Sequence, residues 1–394
     1  MIPHASELTD ACRAELAVPQ EIASGPVMKH LVRAPSNCHI PIMPLENAND
    51  AMAATSMMAA EAAESSPVVR RQLDWWHSNG ARIRGEFLRA GPQQIMTIAR
   101  GSSDHAATYA KYLIEIGTGI PVSSYSPSLT SIYGVVPKGL ERTLFLAISQ
   151  SGRSSDLLMT AKAVKDECAS LVAIVNDEQS PLASISSLLI PQLAGEEVSV
   201  AATKSFIATL SSILQLAGHC AGRSEFVEAA ARLPELLDEA GKLDWGEAIA
   251  PLCQTSSMFV IGRGTTLGIA QEAALKLKEV CGIHAEAFSA AEVRHGPMQL
   301  VCKGFLVLVF VPEDAGSTGI KELVDDFVAR QATVITVGES YGGSISLPVV
   351  KNAAASNAPI CMMQSFYHLA ATVSQFRGLD PDRPRYLRKV TSTL

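Results

Sequence analysis

Aromatic residues make up only 5% of the chain and charged residues only 18%. Nowhere do apolar residues run on for the ~20 positions that a membrane-spanning helix needs. A basic excess is missing too. The formal charge is −7, so the overall field attracts neither nucleic acid nor an anionic membrane, and any phosphate must be held locally. The eight cysteines, at 12, 38, 168, 220, 253, 281, 302 and 361, form no CxxC pair and no dense disulfide spacing. That pattern argues for a reduced, cytoplasmic protein without a structural metal. The opening MIPHASELTDACRAEL lacks the basic segment and apolar stretch of a secretory signal. There is no GxxxxGKS/T phosphate loop and no HExxH metal site, and GRGTTLG departs from GxGxxG without an acidic ribose partner. No dinucleotide, other cofactor or metal is therefore expected.

What is present is apolar residue in quantity, 47% of 394 positions, enough for about two lobes of roughly 150 residues. Residues 1–56 carry Pro3, Pro19, Pro26, Pro35, Pro41 and Pro44 without a sustained period and read as a loosely ordered extension. Met52, Met57 and Met58 stand just before the first clean helical pattern, and the natural start is expected there. Beyond it, short apolar runs (QQIMTIAR, RTLFLAISQ, SLVAIVN, ISSLLIPQL) alternate with helical stretches such as HAATYAKYLIEIG and SDLLMTAKAVKDECA. This is the rhythm of a mostly parallel sheet with helices on both faces.

The rhythm returns 162 or 163 residues later: TIARGSS at 97–103 matches VIGRGTT at 260–266, LFLAIS at 144–149 matches LVLVFV at 306–311, and SLVAIVN at 170–176 matches ATVITVG at 332–338. Three ordered matches at one spacing point to duplication. The expected fold is α/β, with two tandem three-layer α-β-α lobes over 57–220 and 245–379. A helical connection spans 221–244, within an alanine- and leucine-rich stretch that begins near 204, and a tail occupies 380–394.

In open α/β sheets the C-terminal ends of strands carry loops and helix N-termini whose N–H groups receive anions. ARGSSDH and SQSGRSSD take such positions. Taken singly, Ser102, Ser103, Ser149, Ser151 and Ser154 read as helix caps. As a unit, SQSGRS favours phosphate, because Gly152 permits a tight turn on which several hydroxyls and amides converge. Gln150 and Thr203 extend that polar pocket.

The run QEAALKLKEVCGIHAEAFSAAEVRHGP, 271–297, carries Glu272, Lys276 and Glu279 at i, i+4 and i+7 on one helix face. By themselves Glu272 and Lys276 read as an exposed ion pair. Glu279 stands where apolar sequence closes in, and burial there would raise its proton affinity and suit it to proton transfer. His284 reads equally as a core histidine or a functional one, whereas His295 sits at the rigid turn RHGP.

Together these stretches resemble the SIS, or sugar isomerase, superfamily, especially the isomerase half of glutamine:fructose-6-phosphate amidotransferases. The parallels are SQSGRS at 149–154, VAATKSF at 200–206, QEAALKLKE at 271–279, HAEAF at 284–288, RHGP at 294–297 and RPRYLRKVT at 383–391. The resemblance implies tandem SIS lobes and a phosphate site of Ser102, Ser149, Gln150, Ser151 and Ser154, with Thr203 nearby. It also implies Glu279 as the base moving a proton between C2 and C1, His295 as ring-opening partner, Lys276 and Lys389 on the open sugar, and Glu272 organising substrate or water. A homodimer in which RHGP reaches a neighbouring subunit's site is implied as well, with a phosphorylated amino sugar as ligand and no cofactor.

The departures from that pattern choose among activities. A chain that begins Met1-Ile2 with so little before its first lobe is expected to lack the glutamine-hydrolysing domain. ARGSSDH stands where amidotransferases have CGTS, and Arg153 where SQSGET has glutamate. ESSPVVRRQL, SQSGRSSD and VAATKSF instead resemble stand-alone, isomerase-type glucosamine-6-phosphate deaminases. The expected reaction is glucosamine 6-phosphate and water to fructose 6-phosphate and ammonia. A related isomerase or deglycase, acting on galactosamine 6-phosphate or a fructosyl-amino-acid 6-phosphate, would share the same loops. A non-catalytic phosphosugar sensor is disfavoured by Glu279, Lys276, His295 and Lys389 occurring together.

Overall fold

The computed structural model describes residues 56–167 and 170–389. The extension read over 1–56, apart from Ser56, and residues 390–394 of the tail lie outside the described residues.

Helices α1 (Met57–Ala63) and α2 (Ser65–Ala90) precede the first sheet. That sheet contains β1 (Gln94–Ile98), β2 (Val122–Ser124), β3 (Thr143–Ser149), β4 (Ser170–Val175) and β5 (Leu188–Pro191), with α3 (Ser102–Thr118) after β1 and α4 (Ser155–Asp166) after β3. Helix α5 (Lys204–Ala221) leads toward the second sheet: β6 (Ser257–Gly262), β7 (His284–Ser289), β8 (Leu306–Phe310), β9 (Thr333–Val337) and β10 (Ile345–Leu347). Helix α6 (Leu267–Glu279) follows β6, and α7 (Ala358–Phe376) comes last.

All strand pairs are parallel. The orders are β2-β1-β3-β4-β5 and β10-β9-β8-β6-β7. Counted from its own first strand, each sheet therefore runs 2-1-3-4-5, and the second lobe repeats the connectivity of the first. The three sequence matches fall on equivalent strands, β1 with β6, β3 with β8 and β4 with β9. Strands β2, β7 and β10 were not expected; they are short or carry serine, glutamate and histidine, and so lack the continuous apolar character of the others.

Parallel sheets need both faces covered, which is why the strands read as unbroken apolar runs. All seven positions of β3 are buried. Its alternate side chains divide between two interiors. Leu144, Leu146 and Ile148 enter a core that also receives Met258, Val260 and Leu308 from the second sheet, while Phe145 and Ala147 join Leu157 of α4 in an outer core. Phe259, Ile261, Val307 and Val309 form the matching outer core of the second lobe. The lobes thus share one central interior, to which each buried Leu or Ile contributes about 1.5–3 kcal/mol. Helix α5 is buried at 16 of its 18 positions, Lys204, Gln215 and the hydroxyls of Ser205, Thr209, Ser211 and Ser212 among them, so it is a core helix enclosed nearly all round. Among the described residues no helix is long and apolar enough to cross a membrane.

Candidate active site

The loops after β1 and β3 meet at the C-terminal edge of the first sheet and wall one side of a cleft of about 430 Å³. Ser102, Ser103, Ser149, Gln150, Ser151 and Ser154 all line it. Gly152 makes the second loop possible. Its φ is +61°, and a Cβ there would stand 2.3 Å from Ser180 Oγ, so both the conformation and the space demand glycine. The Gly152 N–H donates to Ser149 Oγ at 3.1 Å and the Arg153 N–H to Ser151 Oγ at 3.3 Å. At the two helix starts the reading of these serines as caps holds by position for Ser154 alone. Gly101 is the N-cap of α3, and Ser154, although at the N-cap of α4, makes no side-chain capping bond.

The two serines of the first loop differ in their commitments. The Ser102 hydroxyl is committed to Glu272 at 2.9 Å, whereas Ser103, which the resemblance did not include, also faces the cleft. Thr203 is fully buried behind the wall, its N–H and hydroxyl both directed to Glu197 Oε1 at 2.8 and 3.4 Å. Arg153 turns outward, and its hydrogen bond, followed by that of the Gln179 N–H, holds Asp177 below the usual carboxylate range.

The opposite wall is α6, and Gly268 sets its approach. A Cβ at that position would lie 2.6 Å from the His105 carbonyl oxygen and 3.0 Å from Tyr109 N, so α6 rests directly on the backbone of α3. This contact carries Glu272 beneath the serine loop, where it is 0% exposed, accepts from Ser102, meets His105 Nδ1 at 2.9 Å and lies 3.3 Å from Lys276 Nζ. Lys276, 1% exposed, also reaches Glu279 Oε2 at 2.5 Å. Burial opposes the charge on Glu272, but Lys276, His105 and Ser102 outweigh it and hold the carboxyl below its ordinary value. Burial likewise opposes the Lys276 ammonium, yet Glu272 and Glu279 together raise it above its ordinary value. The exposed-pair reading fails because the close approach of the two lobes removes this face of α6 from water. The buried carboxylate of the set is Glu272. Glu279, its side chain 21% exposed, is a paired group in the cleft wall and not a lone desolvated one.

The tail completes the cleft. Leu387, Arg388 and Lys389 line it, and Lys389 Nζ contacts Glu197 Oε2 at 3.1 Å and the Ser199 carbonyl at 2.7 Å. Glu197 also takes the Ser205 hydroxyl at 2.6 Å, so one buried carboxylate ties the start of α5 to the tail. Upstream, Asp382 accepts from the N–H groups of Met57 and Met58 at 2.9 and 2.7 Å. Glu61 of α1 receives those of Val198 and Ser199. Sequence reading missed Glu197; the available signal was VAATKSF, a polar helix start that needs an acceptor nearby. It also missed His105, and Tyr367, whose buried hydroxyl has no partner among the described residues. Burial, then the carboxylates of Glu272, Glu197 and Glu279, pushes that phenol up.

The two histidines lie elsewhere. Helix α6 ends at Glu279, Gly282 turns at φ +63°, and His284 opens β7 on the surface, so it is not a core residue. His295 is exposed after a single 3-10 turn and does not line the cleft of its own chain. GESYG at 338–342 spells the serine-hydrolase pattern GxSxG, but it leads from β9 into a turn and β10 and not into a helix, so it is no nucleophile elbow.

Comparison with known proteins agrees with this architecture. The chain is 32% identical over 345 residues to the glutamine–fructose-6-phosphate aminotransferase [isomerizing] of Methanothermobacter thermautotrophicus, a match covering 84% of this chain and 56% of that protein. It spans about half the length of the curated relatives it matches. A crystal structure of a candidate phosphosugar isomerase from Silicibacter pomeroyi superposes with a TM-score of 0.79 at 38% identity, covering 83% of this chain and 100% of the other. Glucosamine-6-phosphate deaminase from Thermotoga maritima shares the fold, with a TM-score of 0.69 at 24% identity over 86% of this chain and 100% of its own. The SIS domain pattern matches residues 90–218 and 252–361, one copy on each lobe, and the chain therefore belongs to the SIS domain family.

Proposed function

We propose that the protein is an amino-sugar-phosphate isomerase and deaminase that converts glucosamine 6-phosphate and water to fructose 6-phosphate and ammonia. One observation carries this reading: a single cleft gathers the serine loops, the Lys276–Glu279 pair and Lys389 from three separate parts of the chain. The serine hydroxyls and helix N-termini hold the phosphate, leaving the C1–C2 end of the open sugar to α6 and the tail. Glu279 removes the C2 proton while negative charge moves onto O1, and the ammonium groups of Lys276 and Lys389 face that charge. Lys276 stays protonated between its two carboxylates, so it stabilises charge and does not form a Schiff base. Delivery of the proton to C1 leaves a C2 imine, which water hydrolyses to the ketose and ammonia. The aminotransferase relative, named as isomerizing, supports this coupling of amine chemistry to isomerisation.

Ring opening falls to His295. Because one chain does not bring it to its own cleft, a second copy must, and the working unit is a homodimer. The main test incubates the protein with glucosamine 6-phosphate, follows ammonia and fructose 6-phosphate, and runs galactosamine 6-phosphate alongside. Ammonia from neither substrate at saturation sinks the reading, and release from galactosamine 6-phosphate alone moves it to that epimer. Mixing the inactive Glu279→Gln and His295→Ala variants should recover up to about a quarter of wild-type activity through mixed dimers. No recovery after proven subunit exchange would place His295 outside the shared site.

A further inference from the structure

Arg100 stands at the end of β1 and lines the same cleft as Ser103, Gln150 and Ser151. Its guanidinium crosses to α4, where Nε at 2.9 Å and Nη2 at 2.8 Å both meet Oδ2 of Asp156. The other Asp156 oxygen accepts the Leu157 N–H at 2.8 Å, so this carboxylate, 2% exposed, is fully engaged. Arg100 keeps 42% of its side chain exposed, and no described residue takes its Nη1. A planar guanidinium clamped along one edge presents its remaining N–H groups in a fixed direction.

The surroundings give that direction a use. Asp156 is a buried negative charge in the first turn of α4, the helix that opens onto the serine loop. Unneutralised, it would repel the anion that the loop is shaped to receive. The serines bring no charge of their own, Arg153 is turned outward to Asp177, and Lys276 and Lys389 are held by Glu272, Glu279 and Glu197. Arg388 also lines the cleft, but from the exposed tail and without a clamp.

We propose that Arg100, held by Asp156, is a substrate-contacting and specificity-determining residue that donates to the phosphate of the sugar and makes the cleft prefer the dianionic phosphate over the monoanion. This rests on the reading of the cleft as a phosphosugar site. The arginine charge does not titrate, so affinity follows the second ionisation of the phosphate, near pH ~6.

The experiment measures fructose 6-phosphate binding by calorimetry, inhibition by inorganic phosphate, and KM and kcat for glucosamine 6-phosphate, across pH. The proteins are wild type, Arg100→Gln, Arg100→Lys and the double variant Arg100→Gln with Asp156→Asn. Arg100→Gln should weaken both ligands and raise KM by about tenfold or more, keep kcat within about threefold, and flatten the fall in affinity below pH ~6. Arg100→Lys should recover part of the affinity, since a point charge cannot serve Asp156 and phosphate together. The double variant leaves no buried carboxylate unpaired, so it should fold and still bind weakly. Wild-type affinity in Arg100→Gln or in the double variant overturns the proposal, as does a loss confined to kcat. If wild type binds fructose 6-phosphate but releases no ammonia, the deaminase reading fails while the Arg100 comparison still stands. Equal affinity for fructose and fructose 6-phosphate would overturn both.

Discussion

The two lobes share a strand order and a central core, yet their equivalent loops end in different chemistry. In the first lobe β1 and β3 lead into ARGSS and SQSGRS, and in the second β6 and β8 lead into GRGTT and VPEDAGS. The second pair of loops closes on itself. Arg263 donates to the Thr318 carbonyl, the Thr266 hydroxyl to the Phe310 carbonyl, and the Gly316 N–H to Asp314. Glu313 adds a carboxyl that burial pushes up. The Thr265 hydroxyl is left without a partner among the described residues but is buried, and acidic groups stand where the first lobe has serines. The helices divide in the same way: α3 offers its N-terminus to the cleft, while α6 offers its middle and end. Duplication thus preserved the apolar alternation that builds a lobe, and function follows from which polar groups are left uncommitted.

If the second lobe supplies the proton transfer and the first the anchor, Glu279→Gln should cut C2 proton exchange by about 10³-fold with fructose 6-phosphate affinity near wild type. Deuterium incorporation read by NMR checks this, and retained exchange would remove Glu279 from the base role. Glu272→Gln should cost about 3 kcal/mol, because it strips a buried cation of one of its two partners, as measured by urea unfolding. The pH dependence follows in sign. The Glu272 pKa lies below its ordinary 4.5 when folded, so its contribution is present above pH 4.5 and lost as pH falls through the folded value. The Lys276 pKa lies above 10.5, so its contribution is intact below pH 10.5 and lost only beyond it. The variant should therefore lose part of the acid dependence of stability and run parallel to wild type from pH ~6 to ~9.

Gly268→Ala tests the contact between the lobes. It should lower stability by about 1–3 kcal/mol and depress kcat more than phosphosugar affinity, because it displaces α6 and not the serine loops. Equal losses in both would show that the walls do not move independently. The smallest effect is expected from Glu197→Gln, a several-fold rise in KM with faster proteolysis between residues 383 and 388 as Lys389 loses its anchor. Unchanged cleavage would mean that the Ser199 carbonyl and Asp382 secure the tail without Glu197.

Much of the scaffold was legible because buried parallel strands leave an unmistakable mark, seven buried positions in a row at β3. Strand β7 was not, since HAEAFS alternates small and polar residues and follows a strongly patterned helix. The clustering of Ser149 to Ser154 was legible as a loop, but the sharing of labour between Ser102 and Ser103 was not, because it depends on Glu272 arriving from 170 residues away. Arg100, Asp156, Glu197 and Gly268 act through contacts between elements distant in sequence, and no period or spacing announces them. The burial of Lys276 shows the same limit. An i, i+4 pair looks identical on paper whether its face meets water or another helix.

The cap that Asp382 places on α1 has a consequence for how the molecule is made. A helix beginning at Met57 waits for an acceptor about 325 residues downstream, and Lys389 reaches the cleft later still. While the chain is still emerging from the ribosome, Ser56 can cap the Ala59 N–H, but the Met57 and Met58 N–H groups lack their acceptor and the cleft stays open on one side. A chain that stops short of Asp382 and Lys389 therefore lacks both the acceptor for the start of α1 and the contact that closes the cleft.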